Sequence, residues 1–444
     1  MLRLQRVPSL ASALLFVGLV IASELHARDA TFDWPNLTSS SSLSWVPCFS
    51  SFQCARLTVP LQYSNPGAGE AQIALLMSPS SFPKNDSRYL GSILFNPGGP
   101  GDSGVNTVMT LASTIRPVIG PQYDFIGFDP RGELCQLPHG RTSYKCYSCS
   151  PPEALEFYAP YPQNVNESVS SFGRAYAQSQ ILGKLAMDRA QLVAESVSTP
   201  AVALDMFSIM KALGQDKLNY YGISYGTVLG ATFAAMFPNN VGRFVLDGVV
   251  DPDGWYQGNM TNLLLDTDKV LTTIYHACVS AGPSLCAIYE NTTDLVHARV
   301  SRLLDDVHLA PVLVYNDTDP SNITFSVVDY TVVESHILAT LKNPYSMATA
   351  LAEAIVQLEN GDGSLILGAA GVTNVAQFAT CDFDPSQPYV AGFLDIRAPI
   401  ECGDSLVDTR RTLQAAQDDY QGMLQLSQFA TTIYPLMQGI CTHV

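Results

Sequence analysis

Positive charge is scarce in this chain of 444 residues: 23 Lys and Arg stand against 40 Asp and Glu, for a formal net charge of −17. A protein that grips nucleic acid neutralises phosphates with clustered Lys and Arg, so that class of partner is excluded. Charged residues make up 14% of the chain and apolar ones 47%, which excludes a disordered polymer and leaves a globular one. Long apolar runs are missing beyond the N-terminus. There, in "MLRLQRVPSLASALLFVGLVIASELHARDA", two arginines precede an apolar stretch from about Leu10 to Ala22. That length suits a signal-peptide core and is short for a membrane span of about 20 residues. The reading is a signal peptide over residues 1–27, with a signal anchor as the alternative, and no span after cleavage. Paired metal-ligand motifs are absent too. Cys146-x-x-Cys149 has no second Cys or His pair at ligand spacing, so it reads as disulfide chemistry, and no metal or other cofactor is expected.

What is present points to the secretory route. All ten cysteines lie downstream of the expected cleavage point, and Cys48/Cys54 and Cys278/Cys286 are spaced to close small loops. Seven N-glycosylation sequons occur, at Asn36, Asn85, Asn166, Asn259, Asn291, Asn316 and Asn322. A secreted, extracellular, disulfide-bonded glycoprotein is the expectation.

Residues 55–63 and 72–77 read as an opening pair of strands, followed by a buried strand at Ser92–Asn96 and a Gly/Pro loop. "YDFIGFDPRG" is a second strand-turn unit, and a Cys- and Pro-rich irregular stretch follows to about Asn166. A helix over Thr199–Leu213, a strand over Leu218–Ile223, a helix and a strand over Arg243–Val250 complete the pattern. Alternation of this kind predicts an α/β fold with a doubly wound, mostly parallel sheet. Right-handed crossovers then gather the C-terminal strand ends on one edge, where open sheets of this class bind ligands. After Asp251, segments such as "DLVHARVSRLLDDV" and "YSMATALAEAIVQLENG" carry the helical period. The domain reading is a core over 28–252 and a mainly helical cap over 253–444.

"NYYGISYGTVLGATFAAMFP" holds the sharpest chemical signal. Its Gly222-Ile223-Ser224-Tyr225-Gly226 is a G-x-S-x-G pattern, where glycines flank a serine held on a strand-to-helix turn too tight for side chains. Chance alone gives roughly 0.2 such matches in a chain of this size and composition, so the bare pattern is weak. A strand before it, a helix after it, and Gly230 where that helix must approach the sheet strengthen it. A serine that transfers acyl groups needs two backbone N–H donors for the tetrahedral oxyanion. Tyr225, next after the nucleophile, supplies one by position, and the second is assigned to Gly99 in "NPGGPG", where no Cβ blocks the peptide N–H.

With these motifs, "FNPGGPGDSG", "YDFIGFDPRG", the Ser224 region and "DYTVVESHILATLKNPYSMATALAEAIVQLENGDG", the chain resembles the secreted tripeptidyl-aminopeptidase and prolyl-aminopeptidase family of α/β-hydrolases, over roughly residues 45 to 440. The resemblance implies a serine exopeptidase that releases short peptides or single residues from free N-termini through an acyl-enzyme. Ser224 matches the family nucleophile, and Gly99 and Tyr225 its oxyanion positions. The family completes its triad with an acid and then a His in a C-terminal segment. This chain ends at "YPLMQGICTHV", where the resemblance predicts the cap is just ending, so the last two strands and the acid/His pair are expected to be missing and activity to be doubtful. The fallback pair is Asp319, after the strand-like "APVLVYNDTDP", with His336. An esterase on the same fold, acting on a small ester rather than a peptide, and a non-catalytic peptide-binding remnant are the alternatives.

Overall fold

In a computed structural model, the structure describes residues 32–131, 157, 161–316, 324–370, 393–406, 411–438 and 441. The signal-peptide region, His139, Cys146 and Cys149, Asp319, Asn322 and His443 lie outside these residues.

The first strands are β1 (Val46–Cys48), β2 (Phe52–Pro60), β3 (Glu70–Ser78), β4 (Ser92–Asn96) and β5 (Asp124–Phe128). With β6 (Leu218–Ile223) and β7 (Val241–Asp247) they form a seven-stranded sheet in the order β1-β2-β3-β5-β4-β6-β7. The first three strands pair antiparallel, β3 joins β5 antiparallel, and β5, β4, β6 and β7 run parallel. This is the mostly parallel α/β sheet expected. The pairs Asn96 with Gly222 and Ile223 with Asp247 bring the C-terminal ends of β4, β6 and β7 to one edge.

Four helices of the core follow in chain order: α1 (Gly104–Ile119), α2 (Ser171–Ala194), α3 (Thr199–Ala212) and α4 (Tyr225–Met236). Successive strand residues face opposite sides of the sheet. Leu94 and Ile126 therefore pack with Met206 and Ile209 of α3 and Val228 and Leu229 of α4, whereas Phe95 and Phe125 pack with Val105, Val108 and Ile115 of α1. Ser103 caps α1 by accepting from Asn106 N–H, and Ser198 caps α3 by accepting from Ala201 N–H.

The Asp129–Arg131 segment after β5 locks the core. Asp129 accepts from Ser103 Oγ at 2.6 Å and Val105 N–H at 3.0 Å, fixing the start of α1. Buried Arg131 pairs with Asp205 of α3, through Nε at 2.7 Å, and donates to the carbonyls of Pro60 at 3.0 Å and Leu61 at 2.5 Å. One guanidinium thus ties the end of β2 to α3.

Past the sheet come α5 (Pro252–Tyr256), α6 (Thr267–Ala281) and α7 (Thr293–Leu309), then β8 (Val312–Asn316) and β9 (Thr324–Val328). The chain continues as α8 (Tyr330–Lys342), α9 (Pro344–Glu359), α10 (Ser364–Ala370), α11 (Phe393–Asp404), α12 (Leu413–Leu424) and α13 (Ala430–Ile433). Most of these helices bury a separate apolar cluster, which includes Val296, Val333, Ile337 and Ile355. Val165 and Ala175 join that cluster, and α2 packs on α11 and α12, so the helical unit also draws on residues before 252. The sequence reading has no element at α2, because its many Gly, Ser, Gln, Lys and Arg residues dilute the apolar ones.

Cys48–Cys54 and Cys278–Cys286 are disulfides as expected, and Cys402–Cys441 is a third.

Candidate active site

Ser224 occupies the turn between β6 and α4 with φ +54° and ψ −124°, a backbone state costly for any residue with a Cβ. The turn is fixed by Ser224 N–H donating to the Asp247 carbonyl at 3.0 Å and the Ser224 carbonyl accepting from Thr227 N–H at 2.8 Å. Both flanking glycines are steric necessities. A Cβ on Gly222 would strike the Gly226 carbonyl oxygen, and one on Gly226 would lie 2.7 Å from the Asn96 carbonyl oxygen. The Ser224 side chain is exposed, and its Oγ makes no hydrogen bond to a described residue.

The Gly/Pro loop lies against this serine. A Cβ on Gly98 would sit 2.9 Å from Ser224 Cβ and 3.2 Å from Tyr225 N, so only glycine allows the approach. Gly98 and Gly99 have φ of +113° and +100°, and the Gly99–Pro100 peptide is cis. Gly98 N–H is used, donating to Asn96 Oδ1 at 3.0 Å. The N–H groups of Gly99 and Tyr225 have no acceptor among the described residues. Ser224, Gly99 and Tyr225 are thus together at the edge where the parallel strands end.

Behind the turn is a polar network that the sequence reading missed. The buried Tyr225 hydroxyl is 2.6 Å from Thr199 Oγ1, and the Tyr225 ring packs 5.1 Å from Trp255. Asp404 of α11 accepts from Thr199 N–H at 2.8 Å, from Thr199 Oγ1, and from Trp255 Nε1 at 2.8 Å. Burial raises the Asp404 carboxyl to about 6, against the lowering pull of those donors. Burial, with Asp404 nearby, holds the Tyr225 phenol far above its usual range. Helix α11 also covers the Gly/Pro loop, since Ile396 Cγ2 lies 2.8 Å from where a Gly101 Cβ would be. Asp102, next in that loop, has its carboxyl raised by burial and lowered in part by Arg397.

Among the described residues, histidine is the group the site does not gather. His276, His297 and His308 are exposed on α6 and α7, and His297 stacks on Tyr275. His336 is buried in α8 within the helical cluster, its Nδ1 has no hydrogen-bond partner among the described residues, and burial lowers its pKa. None of the four bonds to Ser224. Of the fallback pair, the segment leading to Asp319 ends in β8, which among the described residues pairs with β9 in a two-stranded sheet separate from the main one. Its alternating exposure shows why it reads as a strand, with Leu313 and Tyr315 exposed and Val314 buried in the helical cluster.

A family described as alpha/beta hydrolase fold matches residues 91–270, which hold the loop, the serine and strands β4 to β7. The serine protease Hip1 of Mycobacterium tuberculosis is 28% identical over 382 residues, covering 81% of this chain and 67% of the relative. The tripeptidyl aminopeptidase of Streptomyces lividans is 32% identical over 249 residues, covering 55% of this chain and 43% of the relative. A carboxylesterase B of M. tuberculosis is 34% identical over 205 residues, covering 45% of this chain and 36% of the relative. The chain thus matches about two thirds of one relative and less than half of the other two.

Proposed function

We propose that the chain is a secreted serine hydrolase of the tripeptidyl-aminopeptidase type, with Ser224 as nucleophile, a reading supported by its match to an alpha/beta hydrolase family and by its peptidase relatives. The observation that carries this reading is the strained, exposed Ser224 beside two unpaired N–H groups. In the proposed step, Ser224 Oγ attacks the carbonyl carbon of a peptide bond near a free N-terminus and gives its proton to a base. The Gly99 and Tyr225 N–H groups hold the resulting oxyanion. The C–N bond then breaks, the leaving amine takes a proton, and water hydrolyses the acyl-enzyme to free Ser224.

None of the four described histidines serves as that base, so we propose that the described residues supply the nucleophile half of the site and turn over weakly on their own. Triad knockouts in serine proteases retain about 10³ to 10⁴ over water through binding and the oxyanion hole. The relative named carboxylesterase supports the esterase reading on the same core. The exposed sequons at Asn36, Asn85, Asn166, Asn259 and Asn291 and three disulfides among the described residues support secretion with glycosylation.

The test offers one preparation a tripeptide amide with a free N-terminus, its N-acetylated form and a simple acyl ester. Ser224-dependent release from the free-amine substrate alone supports the aminopeptidase reading. Equal use of the acetylated peptide or preference for the ester replaces it with the esterase, and binding without release replaces both with a peptide-binding protein.

A further inference from the structure

Asn96, the last residue of β4, is fully buried where the Gly/Pro loop meets the Ser224 turn. By the alternation of a strand it shares a face with Leu94, which clusters with residues of α3 and α4, and not with Phe95, which clusters with α1. Its carboxamide therefore lies beneath the first turn of α4, where a Cβ on Gly226 would come 2.9 Å from Asn96 Oδ1. The same oxygen accepts from Gly98 N–H at 3.0 Å. One side chain thus touches both the loop and the turn.

The two ends of this carboxamide are used unequally. Oδ1 is bonded, whereas Nδ2 is buried and has no hydrogen-bond partner among the described residues. A buried donor without an acceptor costs stability, so packing alone does not call for an asparagine here. The acceptor does. Gly98 is buried, and its N–H needs a partner. Without Oδ1 that peptide has to rotate to find one, and Gly98 at φ +113° and Gly99 at φ +100° lack the Cβ that would resist rotation. Rotation there turns the following N–H, that of Gly99, away from Ser224. The other tie on Gly98 is weaker, since Asp102 N–H donates to its carbonyl at 3.4 Å.

We propose that Asn96 is the positioning residue of the oxyanion hole: by holding Gly98 N–H, it leaves Gly99 N–H aimed at the point where the oxyanion forms. It selects which of two adjacent glycine N–H groups serves the reaction. The inference rests on the reading of Ser224 as nucleophile, and it assigns the role to the acceptor oxygen alone. Aspartate in its place keeps the tie while neutral. Once ionised, it sets a negative charge beside the developing oxyanion, and the Gly98 N–H and the N-terminus of α4 favour that ionised form. Ionisable groups on the surrounding elements are Tyr220 of β6, whose hydroxyl donates to the Gly226 carbonyl at 2.7 Å, Asp102 in the loop, and Asp404 behind Tyr225. All three are common to wild type and variant, so their titration cancels in the ratio of the two rates.

The test is the rate of fluorophosphonate labelling at Ser224, with imidazole as added base, for wild type, Asn96→Ala and Asn96→Asp. Reagent concentration and pH are both varied, and thermal melting checks that each variant folds. Asn96→Ala should lower the maximal labelling rate about 100-fold, as the loss of one oxyanion donor does, with the half-saturating reagent concentration unchanged. Asn96→Asp should label within about threefold of wild type near about pH 5 and fall at least about tenfold further behind by about pH 8. A structural role alone would lower both melting temperatures and leave that ratio flat with pH. Residue-resolved hydrogen exchange on the wild type needs no variant: the Gly98 amide should be protected and the Gly99 amide should exchange freely. Wild-type labelling rates in Asn96→Ala, a pH-independent ratio for Asn96→Asp, or a Gly98 amide that exchanges as fast as Gly99's would overturn the proposal and leave the role of Ser224 standing. A wild type that takes no label on Ser224 would instead remove that reading, and the proposal with it.

Discussion

Gly98 shows how a single residue sets the site. Its φ of +113° and its approach to Ser224 leave no room for a Cβ, which would lie 2.6 Å from the Ile223 carbonyl oxygen. Gly98→Ala should therefore displace the loop or the elbow, lowering stability by about 1–3 kcal/mol and slowing acylation of Ser224 together. Thermal melting and fluorophosphonate labelling of the same sample read both effects. Arg131 acts on folding alone. Its guanidinium is buried against Asp205 and the carbonyls of Pro60, Leu61 and Ser196, so Arg131→Ala leaves a buried carboxylate without its counter-ion. The expected loss is about 3–5 kcal/mol by urea denaturation. At this scale the serine, its glycines and the Gly/Pro loop are legible in the sequence, because each constraint lies within a few contiguous residues. The Asp404–Thr199–Trp255 network is not. Its bonds join residues 205 and 149 positions apart, and nothing local marks an aspartate at the end of a helix as a neighbour of the Ser224 turn.

Helix α11 is the element through which the helical region meets the turn, and Asp404 makes the contact depend on pH. Folding raises this carboxyl from 3.8 to about 6, so its stabilisation is complete below the unfolded value and is lost as pH rises through about 6. At about 1.4 kcal/mol per unit, the advantage of wild type over Asp404→Asn should shrink by up to about 3 kcal/mol between about pH 4 and about pH 7. Parallel denaturation series at several pH values would show two converging curves, and parallel curves would refute the assignment. The sheet strands β2 to β7 and helices α3 and α6 to α9 are legible because buried runs and helical stripes are local signals. Helix α2 is not legible, since its polar residues dilute its apolar ones, and "APVLVYNDTDP" announces a strand without saying which sheet takes it. That second failure is one of pairing: periodicity fixes a strand's faces and leaves its partner open.

For the whole molecule, the ten cysteines and the seven sequons are what the proposed secretion rests on. Cys402–Cys441 joins residues 39 apart and ties α11 to the last described residue. Replacing both cysteines by serine should cost about 2–4 kcal/mol, measured against the reducible wild type under the same conditions. Endoglycosidase treatment of protein from the culture medium should lower its mass. The central claim is that Ser224 is the reactive group of this chain. It is tested most directly by incubating the protein with a fluorophosphonate and locating the adduct by peptide mass spectrometry, with and without added imidazole as an external base. The account predicts a single adduct on the peptide that carries Ser224, formed slowly, accelerated by imidazole and absent from Ser224→Ala. An adduct on another residue, or labelling that persists unchanged in Ser224→Ala, would contradict it.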